Sequence, residues 1–162
     1  MNWKRTVTLG AFILLTLCVV LSRFYLYVQN EHWDENSKAV ETAYEKTILT
    51  KATKVESFYG DEAFKVVYGE DKIGQPVLVW VSDKDVHTEM VSEGFTEAQV
   101  RETMLKKGAD LQIMRILPGK LGDEYVWEVF YKKQDDSGTR YFYDYYKFKD
   151  GTYMDTYRLS LH

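Results

Sequence analysis

The stretch EYVWEVFYKKQDDSGTRYFYDYYKFKDGTYMDTYRL, residues 124–159, decides the fold predicted for this chain. Aromatic and β-branched residues alternate in it with polar ones, a pattern typical of β-strands with one buried face. Asp136-Ser137-Gly138 and Asp150-Gly151 interrupt the alternation, and such turn residues between strand-like segments predict hairpins. The stretch therefore predicts three antiparallel strands, over 124–133, 139–149 and 152–161.

A helix is predicted upstream of these strands. Thr96 and Gln99 have the spacing of a capping box, and Phe95 and Val100 occupy the positions of a hydrophobic staple. Lys106-Lys107-Gly108 is typical of a helix end. A further strand is predicted over 111–117, followed by a turn over 118–123 (PGKLGD).

The preceding part of the chain shows the same order of elements. A helical pattern begins near Asn36 and weakens near 50–54, with Val40, Tyr44 and Ile48 on one face. Strands are predicted over 64–68, over 76–81 (PVLVWV) and over 86–91, with a turn at 69–75. Trp80 faces away from Val79 and Val81, and one of these two sides is expected to be core.

The two halves align with each other. VVYGEDKIGQPVLVWV matches VFYKKQDDSGTRYFYDYY, with Gly74 and Gly138 in corresponding positions. Each half thus predicts one helix packed on three or four antiparallel strands, which is a cystatin-like α+β arrangement. Because units of about 60 residues are marginally stable alone, we expect the two to pack together.

The N-terminal segment TVTLGAFILLTLCVVLSRFYLYV, residues 6–28, predicts a transmembrane helix. As a helix it extends roughly 35 Å, slightly more than the hydrocarbon core of a bilayer. Arg23 lies near its far end, where it can reach the headgroups. Lys4 and Arg5 precede the segment, and the positive-inside rule therefore places the N-terminus in the cytoplasm and the remainder outside.

The sequence of this segment disfavours three alternatives to a retained anchor. A cleaved signal peptide requires small residues at its cleavage site, and 21–24 (LSRF) fit poorly. A lipoprotein requires a small residue before the lipidated cysteine, whereas Leu17 precedes Cys18, which reads as an inert buried thiol. A buried helix of a soluble domain is disfavoured because the segment is apolar on all sides.

The predicted organisation follows from these segments: a cytoplasmic N-terminus (1–5), a transmembrane anchor (6–28), a connector (29–35), a first cystatin-like unit (36–94) and a second unit (95–162). All 25 acidic residues follow the anchor, but only 18 of the 21 basic residues do, because Lys4 and Arg5 precede it and Arg23 lies within it. The outer part is therefore acidic, and no nucleic-acid partner is expected. The one cysteine of the chain, Cys18, lies in the anchor. The outer part must therefore be held by its core rather than by disulfides.

The anchor, the two helix-plus-sheet units and the ending 124–159 resemble the YpmB proteins of Gram-positive bacteria, also called TseB-like cell-wall elongation regulators. These are distantly related to PepSY domains, and the PepSY-like part comprises Tyr125–Val129, Thr139–Lys149 and Lys149–Thr152. The resemblance covers essentially the whole chain. It implies a membrane-attached outer-surface protein that tunes peptidoglycan synthesis by contacting an elongation transpeptidase, a class B penicillin-binding protein. It implies no catalytic residue.

The residues themselves indicate no enzyme, cofactor or metal. His32, His87 and His162 lack the spacing of a zinc site, and His87 beside Asp85 is read as a polar pair at a strand start. The acids of the predicted hairpins lack the regular spacing of a calcium loop (Asp135, Asp136, Asp144 and Asp150). Gly119 and Gly122 match no phosphate-binding fingerprint, and a cystatin inhibitor motif is absent after Gln75 and Val77.

The strongest functional prediction is a docking surface. On the strand over 139–149, Tyr141, Tyr143 and Tyr145 share one face, and Phe142, Tyr146 and Phe148 share the other around Asp144. The more apolar second set is predicted to be core, which leaves the three tyrosines as the partner-binding set unless the first unit covers them. Two other functions stay open: regulation or inhibition of an extracellular protease, and ligand binding in the concavity of a sheet.

Overall fold

The structure, a computed structural model, describes the backbone of residues 3–108, 110–135 and 138–160. Side chains are described within these ranges except at 3–9, 26–33 and 135. The structure therefore does not describe the side chains at the two flanks of the predicted anchor. The same holds for His32, Asp135, Asp136 and His162. The chain divides into two compact parts, residues 1–38 and residues 39–162.

Two α-helices are present in the described chain. Helix α1 covers Trp3–Lys46 and helix α2 covers Glu97–Leu105. The predicted connector 29–35 is therefore helical, and the helix expected to begin at Asn36 is the last part of α1. QNEHWDE contains neither glycine nor proline to interrupt a helix. Among the described residues, no helix has the length and apolar character needed to cross a bilayer.

The remaining elements form two antiparallel four-stranded sheets, which confirms the predicted α+β class. The first sheet has the order β1-β2-β3-β4 and the second β5-β6-β7-β8. The strands of the first are Lys51–Tyr59, Ala63–Glu70, Pro76–Val81 and Val86–Met90, followed by a short 3-10 turn at Val91–Glu93. Those of the second are Leu111–Leu121, Glu124–Asp135, Gly138–Lys147 and Tyr153–Leu159.

Strand β1 is the element that the sequence pattern did not predict. A register shift between Ala52 and Lys54 interrupts its pairing with β2. Ala52 and Val55, three residues apart, consequently pack against the same core. A bulge of this kind breaks the two-residue period by which strands are recognised.

Strand β5 continues through the predicted turn at 118–123. Pro118 is tolerated because β5 is an edge strand, where a missing N–H can be accommodated. Gly119 is required because a Cβ there would lie only 2.3–2.5 Å from ring carbons of Phe58. The chain reverses instead at Gly122, whose φ of +55° favours glycine.

The first sheet is buried on both faces. Val67, Val77 and Val79 pack with Ala39 and Ala43 at the end of α1. On the other face, Val66, Leu78 and Trp80 belong to the main core, which also contains residues of α2 and the second sheet. Both faces of β3 therefore belong to the core, whereas the sequence predicted this for one face.

Helix α2 begins as predicted. Thr96 Oγ1 accepts a hydrogen bond from Gln99 N at 3.3 Å, and Thr96 N donates to Gln99 Oε1 at 2.8 Å. The capping box is therefore complete. Val100 and Met104 are buried and pack the helix into the main core with the second sheet.

Candidate functional site

Aromatic side chains form a row across three strands of the second sheet. Phe130 of β6 lies opposite Tyr143 of β7, and Tyr143 lies opposite Tyr157 of β8. Residues that are directly opposite in neighbouring strands project from the same face. The next row on this face adds Tyr141 and Leu159, which also lie opposite each other. We call these five residues the aromatic face.

The rings of the aromatic face contact one another. Phe130 stacks on Tyr143 with 4.8 Å between ring centroids, and on Tyr141 with 5.9 Å. These three residues are half-buried, whereas Tyr157 is 57% exposed and Leu159 is 39% exposed. The face is thus a contiguous surface of large side chains that remains open to solvent.

Tyr145 differs from the other two predicted docking residues. Tyr141 and Tyr143 lie on the aromatic face and are half-buried. Tyr145 projects from the same side by register, but it is only 9% exposed, and its ring meets that of Tyr157 edge-on at 5.7 Å. The expectation that all three tyrosines form an exposed set is therefore wrong for Tyr145, which supports the aromatic face from beneath.

A buried carboxylate holds Tyr145 in this position. The Tyr145 hydroxyl donates to Glu128 Oε2 at 3.0 Å, and Arg115 Nη2 donates to Glu128 Oε1 at 2.8 Å. Burial and the neighbouring Glu128 charge raise the pKa of Tyr145 above its ordinary value. The phenol therefore stays protonated at neutral pH and keeps its role as a donor.

The opposite face of the same strand is core, as predicted. Tyr146 and Phe148 are buried in the main core, and Phe142 is half-buried against it. Tyr146 also reaches Met104 of α2, with 3.1 Å between its hydroxyl and Sδ. Because these side chains fill the space between α2 and the sheet, the ligand-binding concavity considered from the sequence is occupied by the protein's own residues.

Asp144 lies in this core with no exposed surface. Its Oδ1 accepts from Thr156 Oγ1 at 2.6 Å and from the Tyr131 hydroxyl at 3.1 Å. Its Oδ2 accepts from Lys107 Nζ at 2.6 Å and from the Tyr146 hydroxyl at 3.3 Å. Four donors thus compensate a carboxylate that would otherwise be costly to bury.

Lys107 joins the end of α2 to the second sheet. Its ammonium lies 5.2 Å from the ring centroid of Tyr146 and 4.8 Å from that of Tyr153. Burial alone lowers the pKa of Lys107, but hydrogen bonds to Asp144 and Tyr146 outweigh it and raise this pKa above its ordinary value. We read the cluster as a structural tie, because its acid, cation and hydroxyls are already paired with one another.

The other residues considered for chemistry have structural roles. His87 Nε2 lies 2.7 Å from Glu89 Oε1 rather than pairing with Asp85, and its ring stacks on Tyr125 at 4.0 Å. Asp150 Oδ1 accepts from Thr152 N at 2.8 Å in the turn before β8, and this bond lowers the pKa of Asp150. Among the described residues, no three or more His, Cys, Asp and Glu side chains are grouped to hold a metal ion.

Three members of the aromatic face were missed by sequence reasoning, namely Phe130, Tyr157 and Leu159. The register contained the necessary signal. Because Asp135 pairs with Gly138, counting back along both strands brings Phe130 opposite Tyr143. The predicted surface comprised a single strand, whereas a docking surface on a sheet extends across neighbouring strands.

Comparison with known proteins finds similarity to one family. The sequence profile of a family described as "Cell wall elongation regulator TseB-like domain" matches residues 38–82. A protein of Bacillus subtilis (strain 168), named "Probable cell wall elongation regulator TseB", is 28% identical over 129 residues, which cover 78% of this chain and 80% of that protein. The chain is therefore similar to TseB-like proteins, by the profile over residues 38–82 and by the relative over most of its length.

A solved structure is also similar to this chain. The structure, described as "YpmB protein from Bacillus subtilis", matches with a TM-score of 0.67 and 27% identity. The match covers 76% of this chain and 96% of that one. The family profile ends at Ser82, so the aromatic face lies beyond the residues on which that profile rests.

Proposed function

We propose that this TseB-like protein is a membrane-anchored, extracytoplasmic regulator that binds an elongation transpeptidase, a class B penicillin-binding protein, and tunes cell-wall elongation. The regulatory role is taken from the name of its Bacillus subtilis relative. The anchor is proposed from the apolar segment 6–28 and the basic residues that precede it. No catalytic step is assigned to the protein.

The observation that carries the proposal is the aromatic face. Contiguous exposed aromatic residues are typical of protein interfaces, where tyrosine frequently contributes a large part of the binding energy. Tyr141 and Tyr143 also stack on Phe130, which reduces the entropy lost when a partner binds. The acidic character of the chain, with a net charge of −4, disfavours nucleic acid and anionic lipid as the occupant.

A co-purification experiment tests the proposed partner. The full-length protein, tagged at its C-terminus, is expressed in its native membrane and purified in mild detergent after brief chemical crosslinking. We expect a class B transpeptidase to be enriched with the wild-type protein and with Tyr59→Ala. Tyr59 is 70% exposed at the end of β1, far along the chain from the aromatic face, and its replacement serves as the control.

Tyr143→Ala should lose most of the enrichment while the protein level in the membrane stays the same. Equal recovery of the transpeptidase with Tyr143→Ala and with wild type would contradict the role of the aromatic face. Failure of wild type to enrich any class B transpeptidase would contradict the proposed partner itself.

The proposed topology is tested separately. Protease added to protoplasts should digest the outer part, because the basic flank lies N-terminal to the apolar segment. A C-terminal epitope that survives in intact protoplasts, but is digested after lysis, would reverse the orientation.

A further inference from the structure

Strand β8 is an open edge of the second sheet. Within the described chain it pairs only with β7, and residues 155–159 are all exposed. The pairing is regular over this segment, from Asp155 opposite Tyr145 to Leu159 opposite Tyr141. The one register shift lies beyond it, between Tyr145 and Tyr146. Five consecutive exposed residues thus lie along the outer edge of the sheet, where Thr156 N donates to Asp155 Oδ1 at 2.8 Å.

The other sheet edges in the described chain are covered in part. Strands β1 and β5 contact each other, with Phe58 against Gly119 and with Gly122 N donating to Asp61 Oδ2 at 3.2 Å. Every residue of β4 is partly buried, and its His87 stacks on Tyr125 of the second sheet. Among the described edge strands, β8 therefore has the longest run of exposed residues, which makes it the edge most accessible for pairing.

An open strand edge has a specific chemical complement. It presents unpaired N–H and C=O groups at a fixed spacing, and another extended backbone is the structure that satisfies such a row. Proteins usually protect exposed edges with proline, lysine or a bulge in the strand. Residues 155–159 (DTYRL) contain neither proline nor lysine and no bulge, and their two charged residues are Asp155 and Arg158.

We infer that the partner of this protein contributes an extended segment that pairs with β8 as a fifth strand of the second sheet. The inference rests on the proposed function, since it describes how the transpeptidase would be recognised. The added strand would continue the aromatic face, because β8 supplies two of its members, Tyr157 and Leu159.

The side chains of β8 define the chemistry of that segment. Asp155, Tyr157 and Leu159 project from one side at intervals of about 7 Å. Side chains of an added strand lie beside them at the same interval. The matching segment therefore carries one basic and two apolar residues at alternate positions, with the basic residue beside Asp155.

Site-specific photocrosslinking of the full-length protein in living cells tests this pairing. The photoreactive residue p-benzoylphenylalanine is placed at one position at a time. The test positions are Asp155, Tyr157 and Leu159 in β8 and Tyr143 on the aromatic face. The control positions are Tyr59 and Ile73, which are both 70% exposed. Crosslinked peptides are sequenced by mass spectrometry. We expect the three β8 positions to attach to one short stretch of the transpeptidase, with the attachment point moving about two residues for each two-residue step along β8.

Each result separates strand pairing from docking in general. Crosslinks from Tyr143 without crosslinks from β8, or β8 crosslinks scattered over the transpeptidase, would overturn the inference and leave the proposed partner in place. Crosslinks from β8 to a second copy of this chain would also overturn it. Loss of transpeptidase crosslinks at every position would remove the proposed partner together with the inference.

A double variant provides an independent readout. Tyr157→Asp combined with Leu159→Asp makes the β8 edge acidic and removes its apolar contacts, while both side chains are exposed and contribute little to the core. We expect at least a tenfold loss of transpeptidase capture with an unchanged melting temperature. Ile73→Asp, which changes a more exposed apolar residue elsewhere, should have no effect on capture. Normal capture by the double variant would contradict strand pairing.

Discussion

Lys107 and Asp144 form an ion pair with 2.6 Å between Nζ and Oδ2, although Asp144 is fully buried and the Lys107 side chain is 38% exposed. Lys107→Met keeps the length of the side chain but leaves the buried carboxylate without its cation. Removing one partner of a fully buried pair costs roughly 3–5 kcal/mol. Because Lys107 is partly exposed, we expect a loss of roughly 2–3 kcal/mol in the free energy of unfolding, measured by urea denaturation.

The neighbouring lysine provides a control for that variant. Lys106 pairs with Glu102 on the surface of α2, and such exposed pairs contribute at most about 0.5 kcal/mol. Lys106→Met should therefore leave the unfolding midpoint nearly unchanged. Equal effects of the two substitutions would show that the Lys107–Asp144 pair does not tie α2 to the sheet.

The stabilisation by Lys107 should be lost at alkaline pH. The pKa of Lys107 is raised in the folded protein, so the favoured folded form carries the proton. Its contribution is complete below the ordinary lysine pKa of about 10.4 and is lost as the pH rises through the folded value. The stability difference between wild type and Lys107→Met should therefore stay constant from about pH 6 to about pH 9 and shrink above about pH 10.5. A difference that stays unchanged well above about pH 11 would contradict this assignment.

Thr96→Ala tests the start of α2. The substitution removes the hydroxyl that accepts from Gln99 N, and loss of an N-cap side chain costs about 1 kcal/mol. The melting temperature should fall by roughly 3–6 °C for a domain of this size. Thr103→Ala removes a hydroxyl from an exposed site within the same helix and should change the melting temperature little. A similar fall for both variants would mean that the cap is not the cause.

Phe148→Ala tests the division between core and surface on β7 and the residue that follows it. The Phe148 ring lies 5.4 Å from that of Trp80 and 5.8 Å from that of Trp127, and it is buried. Its truncation should cost roughly 3–5 kcal/mol. Tyr143→Ala, on the half-buried aromatic face, should cost less than half as much. A silent Phe148→Ala together with an unfolded Tyr143→Ala would show that the two faces are assigned the wrong way round.

Much of the fold could be predicted because local chemistry and tertiary packing agree in those segments. The residue types of Thr96 and Gln99 are enough to predict the helix start. Gly74 and Gly138, both at positive φ, lie in turns of hairpins whose strands pair in the predicted order. Tyr146 and Phe148 were assigned to the core from their side of the strand. In each case the signal lies within a few residues of the element that it describes.

Other features depend on contacts between distant segments. The bulges in β1 and β5 shift the strand period, and neither bulge is encoded by glycine or proline at the shift. The alternation along β7 places Tyr145 with Tyr141 and Tyr143 and so predicts an exposed side chain. Its burial is favourable because Glu128, opposite it on β6, accepts a hydrogen bond from its hydroxyl. The cation of Lys107 reaches Asp144 over 37 positions of sequence, a pairing that no local pattern contains.

The central claim is that the aromatic face binds the transpeptidase, and a dissociation constant measures it most directly. The full-length protein is reconstituted in nanodiscs and titrated with a purified class B transpeptidase from the same membrane, using wild type, Tyr143→Ala and Tyr59→Ala. We expect Tyr143→Ala to weaken binding at least tenfold, or about 1.4 kcal/mol, and Tyr59→Ala to bind within about twofold of wild type. Identical dissociation constants for wild type and a folded Tyr143→Ala would contradict the account.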